Sequence, residues 1–211
     1  MTSTIDEHDA NKLPISRNEV QRLTQCIPGS RWDTPVDEAI MRGRMLLVPQ
    51  SRWLTLTNKQ LLSVFAERNP VLEIAQRGQA FAFVATIGAP LESTVKRLFQ
   101  QNEYLAGLLL DAVGSVATEA VCDEVQARCV DDQSAVRFSP GYCGWPLTSQ
   151  WPLLDLLNAA DLGVQLLDSC LMTPLKSVSG IVVSAPGQTL QMPSEVCACC
   201  DAVGCDGVGG S

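Results

Sequence analysis

A cation, a hydroxyl, a tight turn and a phenol follow one another at Arg137-Phe138-Ser139-Pro140-Gly141-Tyr142. A guanidinium is a fixed cation whose planar donor fork suits carboxylates and phosphates. Ser139 adds a hydroxyl, and Pro140-Gly141 is a turn signal that lets backbone approach a ligand closely. Tyr142 offers an aromatic face with a polar tip. Together these are the groups that a small zwitterion carrying a flat ring would need. The same six residues also read as a strand end closed by a turn, with Tyr142 in the core. A second cluster with chemistry is Cys197-Ala198-Cys199-Cys200 followed by Cys205. Thiolates at this C-x-x-C-x4-C spacing can hold zinc or an iron–sulfur cluster, with Cys143 or Cys170 as further candidate ligands; the plain alternative is an incidental thiol tail. Asp111 and Glu119 stand eight apart on one helix face and could reach a ligand amine, or simply face water. Lys176 is nearly the only cation in the last third, with a local partner such as Asp168 expected for it.

Composition narrows the classes. The net charge is −8 and no basic stripe is present, which argues against nucleic acid as a partner. The opening residues are polar and acidic, unlike a signal peptide, and no uninterrupted apolar run approaches the ~18–20 residues of a membrane span. A cytoplasmic protein is expected. Nine cysteines is an odd number and five are scattered through residues 26–170, which fits reduced thiols better than a disulfide framework. The one histidine, His8, falls in a segment expected to be a disordered tail. That placement removes Ser-His and Cys-His catalysis and His-rich metal sites.

The elements that must position these groups follow from pattern. Residues 1–15 read as a disordered tail, 16–190 as a single α+β domain, and 191–211 as a Cys/Gly-rich tail. Short helices are expected within 16–31, over 36–44, after Thr57-Asn58, and over 71–77 up to Gly78. Residues 45–48 and 52–57 read as short strands. AFAFVATI at 80–87 is a compact apolar run and reads as a central strand. One long helix is expected over 91–128, where apolar residues recur at helical spacing; Gly107 and Gly114 lie seven apart on it and invite close approach of another element. Strands are expected at 135–139, 163–167 and 181–184, and a helix from Thr148 to about 160.

With these residues in view, the chain resembles the activation domain of vitamin B12-dependent methionine synthase, in its short stand-alone form. Four segments carry the resemblance across residues 61–184: AFVATIG at 82–88, the long helix, RFSPGY followed by WPL, and KSVSG at 176–180. The order and spacing of RFSPGY and KSVSG, with a helix between, agree with the family's R-x-x-P-G-Y and S-V-S-G segments. After P-G-Y the chain departs from the family's histidine- and lysine-bearing run, with Cys143-Gly144-Trp145-Pro146 instead. The resemblance implies an α+β fold with a twisted, mainly antiparallel sheet flanked by helices. It implies an S-adenosylmethionine site in which Arg137 meets the ligand carboxylate. Ser139 and Gly141 would give main-chain contacts and Tyr142 would line the ligand or corrin side. Ser177, Ser179 and Gly180 would shape the groove floor. It implies a corrinoid- or cobalamin-binding methyltransferase as partner, which this domain would cap or reactivate, cobalamin belonging to that partner alone. Two other functions stay open: a small-molecule sensing module without a cobalamin partner, and a redox protein built on the Cys197, Cys199, Cys200 and Cys205 cluster.

Overall fold

The structure is a computed structural model that describes residues 5–65, 69–130 and 135–184. Five strands form one antiparallel sheet: β1 (Asp6–Glu7), β2 (Gln50–Thr55), β3 (Gln79–Thr86), β7 (Ser177–Ser184) and β4 (Val136–Phe138), in that spatial order. A two-stranded ribbon, β5 (Gln165–Leu166) with β6 (Met172–Thr173), stands apart. The helices are α1 (Arg17–Thr24), α2 (Asp33–Arg44), α3 (Asn58–Val64), α4 (Pro70–Arg77), α5 (Pro90–Gln100), α6 (Tyr104–Cys129) and α7 (Gln150–Leu156). The expected α+β class with a mainly antiparallel, helix-flanked sheet is what forms.

β3 shows why. Residues 80–86 are all buried, the signature of a strand covered on both faces. Phe81, Phe83 and Ala85 point to one core with α1, α2, α5 and α6, whereas Ala80, Ala82 and Val84 point to a second core with α3, α4 and α7. Side chains alternate across a strand, so one apolar run serves both layers. Burying a side chain such as Phe83 contributes roughly 2–3 kcal/mol. Local signals set the helix starts: Thr57 and Gln60 form a reciprocal capping box, and Asn69 caps α4 with Pro70 at its first position.

Four expectations need correction. The long helix over 91–128 is two helices, α5 and α6. Asn102 adopts φ +63°; its N–H donates to Phe99 O and that of Glu103 to Leu98 O, a Schellman closure. The apolar spacing runs through the break, which hid it. Residues 45–48 form no strand; the strand begins at Gln50. The expected strand at 181–184 starts earlier, at Ser177. Residues 5–15 of the expected disordered tail are a packed strap: Leu13 and Ile15 are in the core, and Arg44 donates to the carbonyls of Ala10, Asn11 and Leu13. The close approach expected at Gly107 and Gly114 is there, since a Cβ at either would run into Phe99 or Leu91 of α5. By length and composition α6 could cross a membrane, but 67% of its apolar window is buried within this fold, as befits a core helix.

Candidate functional site

The Pro-Gly bend is a double turn. Tyr142 N–H donates to Ser139 O at 3.2 Å, and Gly141 has φ +96°, the pattern of a type II turn with proline second and glycine third. A second turn follows at once: Trp145 N–H donates to Tyr142 O at 2.9 Å, with Cys143 and Gly144 both at positive φ. Gly141 N–H closes the pair by donating to Trp145 O at 2.7 Å. Trp145 is buried beneath and stacks on Phe65 at 4.4 Å, while Tyr142 is 54% exposed. Trp145 anchors the turn, then, and the phenol is left at the surface rather than in the core.

Arg137 sits one strand position before Phe138, opposite Val182 and therefore on the α6 side of the sheet. Its Nη2 lies 3.3 Å from Glu119 Oε2 and 2.9 Å from Asp123 Oδ1. Its Nη1 is buried and has no partner among the described residues. Asp111, Ser115, Glu119 and Asp123 recur every four residues, so they form one ridge along α6. Lys176 reaches the upper end of this ridge, 3.0 Å from Asp111 and 2.8 Å from Ser115 Oγ. Its partner is thus Asp111 rather than Asp168. Gly114 makes the crossing feasible, for a Cβ there would touch the Lys176 stem.

A cleft of ≈ 510 Å³ opens between this ridge, the start of α1 and the 175–178 segment; Ser16, Glu19, Leu23, Glu119, Asp123 and Ser177 are among its walls. That volume is within the usual range for small-ligand sites. Of the seven expected ligand residues, Ser177 lines the cleft, and Arg137 touches it through Glu119 and Asp123. Ser139, Gly141 and Tyr142 belong to the neighbouring turn. Ser177 Oγ is engaged with Thr86 Oγ1 and Pro174 O. Ser179 shares the Ser177 face of β7 by register, the face turned away from α6, and its Oγ is buried without a partner among the described residues. Gly180 is required by packing: a Cβ there would collide with the Phe138 carbonyl, so β4 can end beside β7 only over a glycine.

Electrostatics rule several groups out as reactants. Burial pushes the Cys122 thiol up to about 12 against the opposing pull of Arg137, and burial together with Asp6 does the same to Cys129; neither forms a thiolate near neutral pH. The Arg22 hydrogen bond holds the Glu19 carboxyl below its ordinary value. His8 corrects the tail expectation most directly. Its Nδ1 lies 2.6 Å from Glu124 and its Nε2 2.8 Å from Ser51 Oγ. The residue types are those of a Ser-His-acid triad, but Ser51 is 0% exposed, so no substrate reaches it and the trio is a structural clip. Cys197, Cys199, Cys200 and Cys205 lie outside the described residues. Among those described, no group of three or more His, Cys, Asp or Glu could hold a metal. Sequence reasoning missed His8, Ser16, Glu19 and Arg22, because nothing local in an acidic N-terminal stretch signals contacts with residues a hundred positions away.

Two comparisons place this geometry. Residues 130–191 match the protein family described as "Vitamin B12 dependent methionine synthase, activation domain". Among solved structures, the MetH reactivation domain bound to AdoHcy superposes with a TM-score of 0.67 at 13% identity, covering 91% of this chain and 81% of that one. At that identity the likeness establishes the fold. No curated protein matches the chain.

Proposed function

We propose, from the match of residues 130–191 to the methionine synthase activation-domain family and from the chain's likeness in fold to a reactivation domain, that this protein binds S-adenosylmethionine and presents it to a separate cobalamin-bearing methyltransferase. The ligand's adenosyl and amino-acid groups would lie along the α6 ridge toward the Ser139–Tyr142 turn, with Arg137 exchanging an acidic partner for the ligand carboxylate. Cobalamin would stay with the partner and accept the methyl group there. Exposed Tyr142, Leu147 and Trp151 lie next to that turn and suit a covering apolar ring system. A cytoplasmic setting is part of the proposal, supported by the free thiols of Cys26, Cys122, Cys129, Cys143 and Cys170.

The observation that carries this reading is Arg137. Among the described residues it is held by two largely exposed carboxylates, which line a cleft of ligand size. A guanidinium held by exposed acids rather than by backbone carbonyls can change partners at small cost. Calorimetry with S-adenosylmethionine tests the reading. Arg137→Ala should weaken binding about 10–100-fold, the usual cost of removing a charge-assisted hydrogen bond. Absence of binding by the wild-type chain, or an unaltered affinity in Arg137→Ala, overturns it. Adding a cobalamin-binding methyltransferase then separates a presenting protein from a sensor, which would bind the ligand and ignore the partner.

A further inference from the structure

The cleft's charges do not balance. Glu19 is matched by Arg22 at 2.6 Å, and Lys176 by Asp111 at 3.0 Å. Glu119 and Asp123 share the single guanidinium of Arg137. Two carboxylates against one cation leave a surplus of one negative charge, on side chains that line the cleft. An uncompensated charge next to a low-dielectric wall acts on whatever enters.

We infer that Glu119 and Asp123 make the cleft selective for the charge on the ligand's sulfur, favouring the cationic sulfonium of S-adenosylmethionine over the neutral thioether of S-adenosylhomocysteine. The inference rests on the ligand reading above. The two ligands share their adenosine, ammonium and carboxylate, so those groups cancel in a comparison of affinities, and the methyl group with its positive charge is what differs. A surplus anion in the wall therefore helps the methylated form to enter and the demethylated product to leave. Arg137 sets the size of the surplus, since its one positive charge stays beside the two acids even when the ligand carboxylate becomes its partner, and that carboxylate is common to both ligands.

The charge count can be stepped by substitution. Glu119→Gln or Asp123→Asn alone brings the Arg137 cluster to neutrality. The double substitution leaves Arg137 unmatched and reverses the sign. Both side chains are about two-thirds exposed, so the fold tolerates these changes, and circular dichroism checks it. Calorimetry on the full chain with each ligand should give a wild-type preference for S-adenosylmethionine of about tenfold at low salt, the scale of one partly screened charge. The preference should fall toward one in either single variant and invert in the double variant. It should also shrink as salt rises. Equal wild-type affinities, or a preference that persists through all three variants, overturns the charge inference while leaving the binding site in place. Failure of both ligands to bind removes the site and the selectivity together.

Discussion

Two arginines lie on strands of the same sheet and do opposite work. Arg52, on β2, is 6% exposed, and its Nη1 donates to the carbonyls of Leu157 and Asn158 and to Asp161, all near 3.0 Å. Two of those partners are backbone carbonyls at the end of α7; that of Leu157 meets Arg52 in a buried contact, and that of Asn158 also accepts from Asp161 N–H at 3.1 Å. Arg137, on β4, has among the described residues two side-chain carboxylates as partners, both wet. A guanidinium bonded to main-chain carbonyls is fixed by the fold, whereas one bonded to exposed acids can trade partners at small cost. Residue type alone does not separate these roles; the nature of the acceptor does.

The comparison breaks most readily by truncating both arginines. Arg52→Ala should cost about 2–4 kcal/mol in urea denaturation, because the Leu157 carbonyl loses a buried donor and the packing of the buried side chain is lost with it. Arg137→Ala should cost under about 1 kcal/mol, the range of exposed ion pairs. Comparable losses would erase the distinction. Gly180→Ala sharpens it from another side. The added methyl must displace the end of β4, lowering the melting temperature by roughly 4–8 °C for an overpacking cost of ~2 kcal/mol. The same change should weaken ligand binding, because Arg137 rides on that strand; an unchanged melting temperature would mean that β4 is not held as described. The smallest effect concerns Glu19, whose carboxyl the Arg22 hydrogen bond holds below the ordinary 4.5. A depressed folded value stabilises above the unfolded one and is lost as pH falls through it. NMR titration of Arg22→Ala should show Glu19 returning toward 4.5 with little change in overall stability; a titration unmoved by the substitution would remove Arg22 as the cause.

Much of the fold was legible in the sequence where one physical demand dominates. β3 announces itself because a strand covered on both faces must be apolar throughout, and Thr57 with Gln60, or Asn69 with Pro70, mark helix starts by local bonding. Ser139 to Tyr142 likewise spells its own turn. The cleft was not legible. Its walls come from Ser16 and Glu19, from Glu119 and Asp123, and from Ser177, three segments whose meeting depends on how α1 docks against α6. The strap was hidden for a similar reason: Asp6 reads as a solvated acid, yet it accepts from Trp53 Nε1 at 3.0 Å and pairs with Arg128 at 3.1 Å. Lys176 was noticed, but its partner lies 65 positions earlier, beyond any local rule.

The imidazole of His8 grips Glu124, and the residue just before Glu124 is Asp123, which faces the cleft. Consecutive positions on a rigid helix rotate together, about 100° apart. The clip therefore adds a tie to the turn of α6 from which Asp123 faces the cleft. Residues 5–15 are thus tied to the same helical turn that carries one of the cleft's acids.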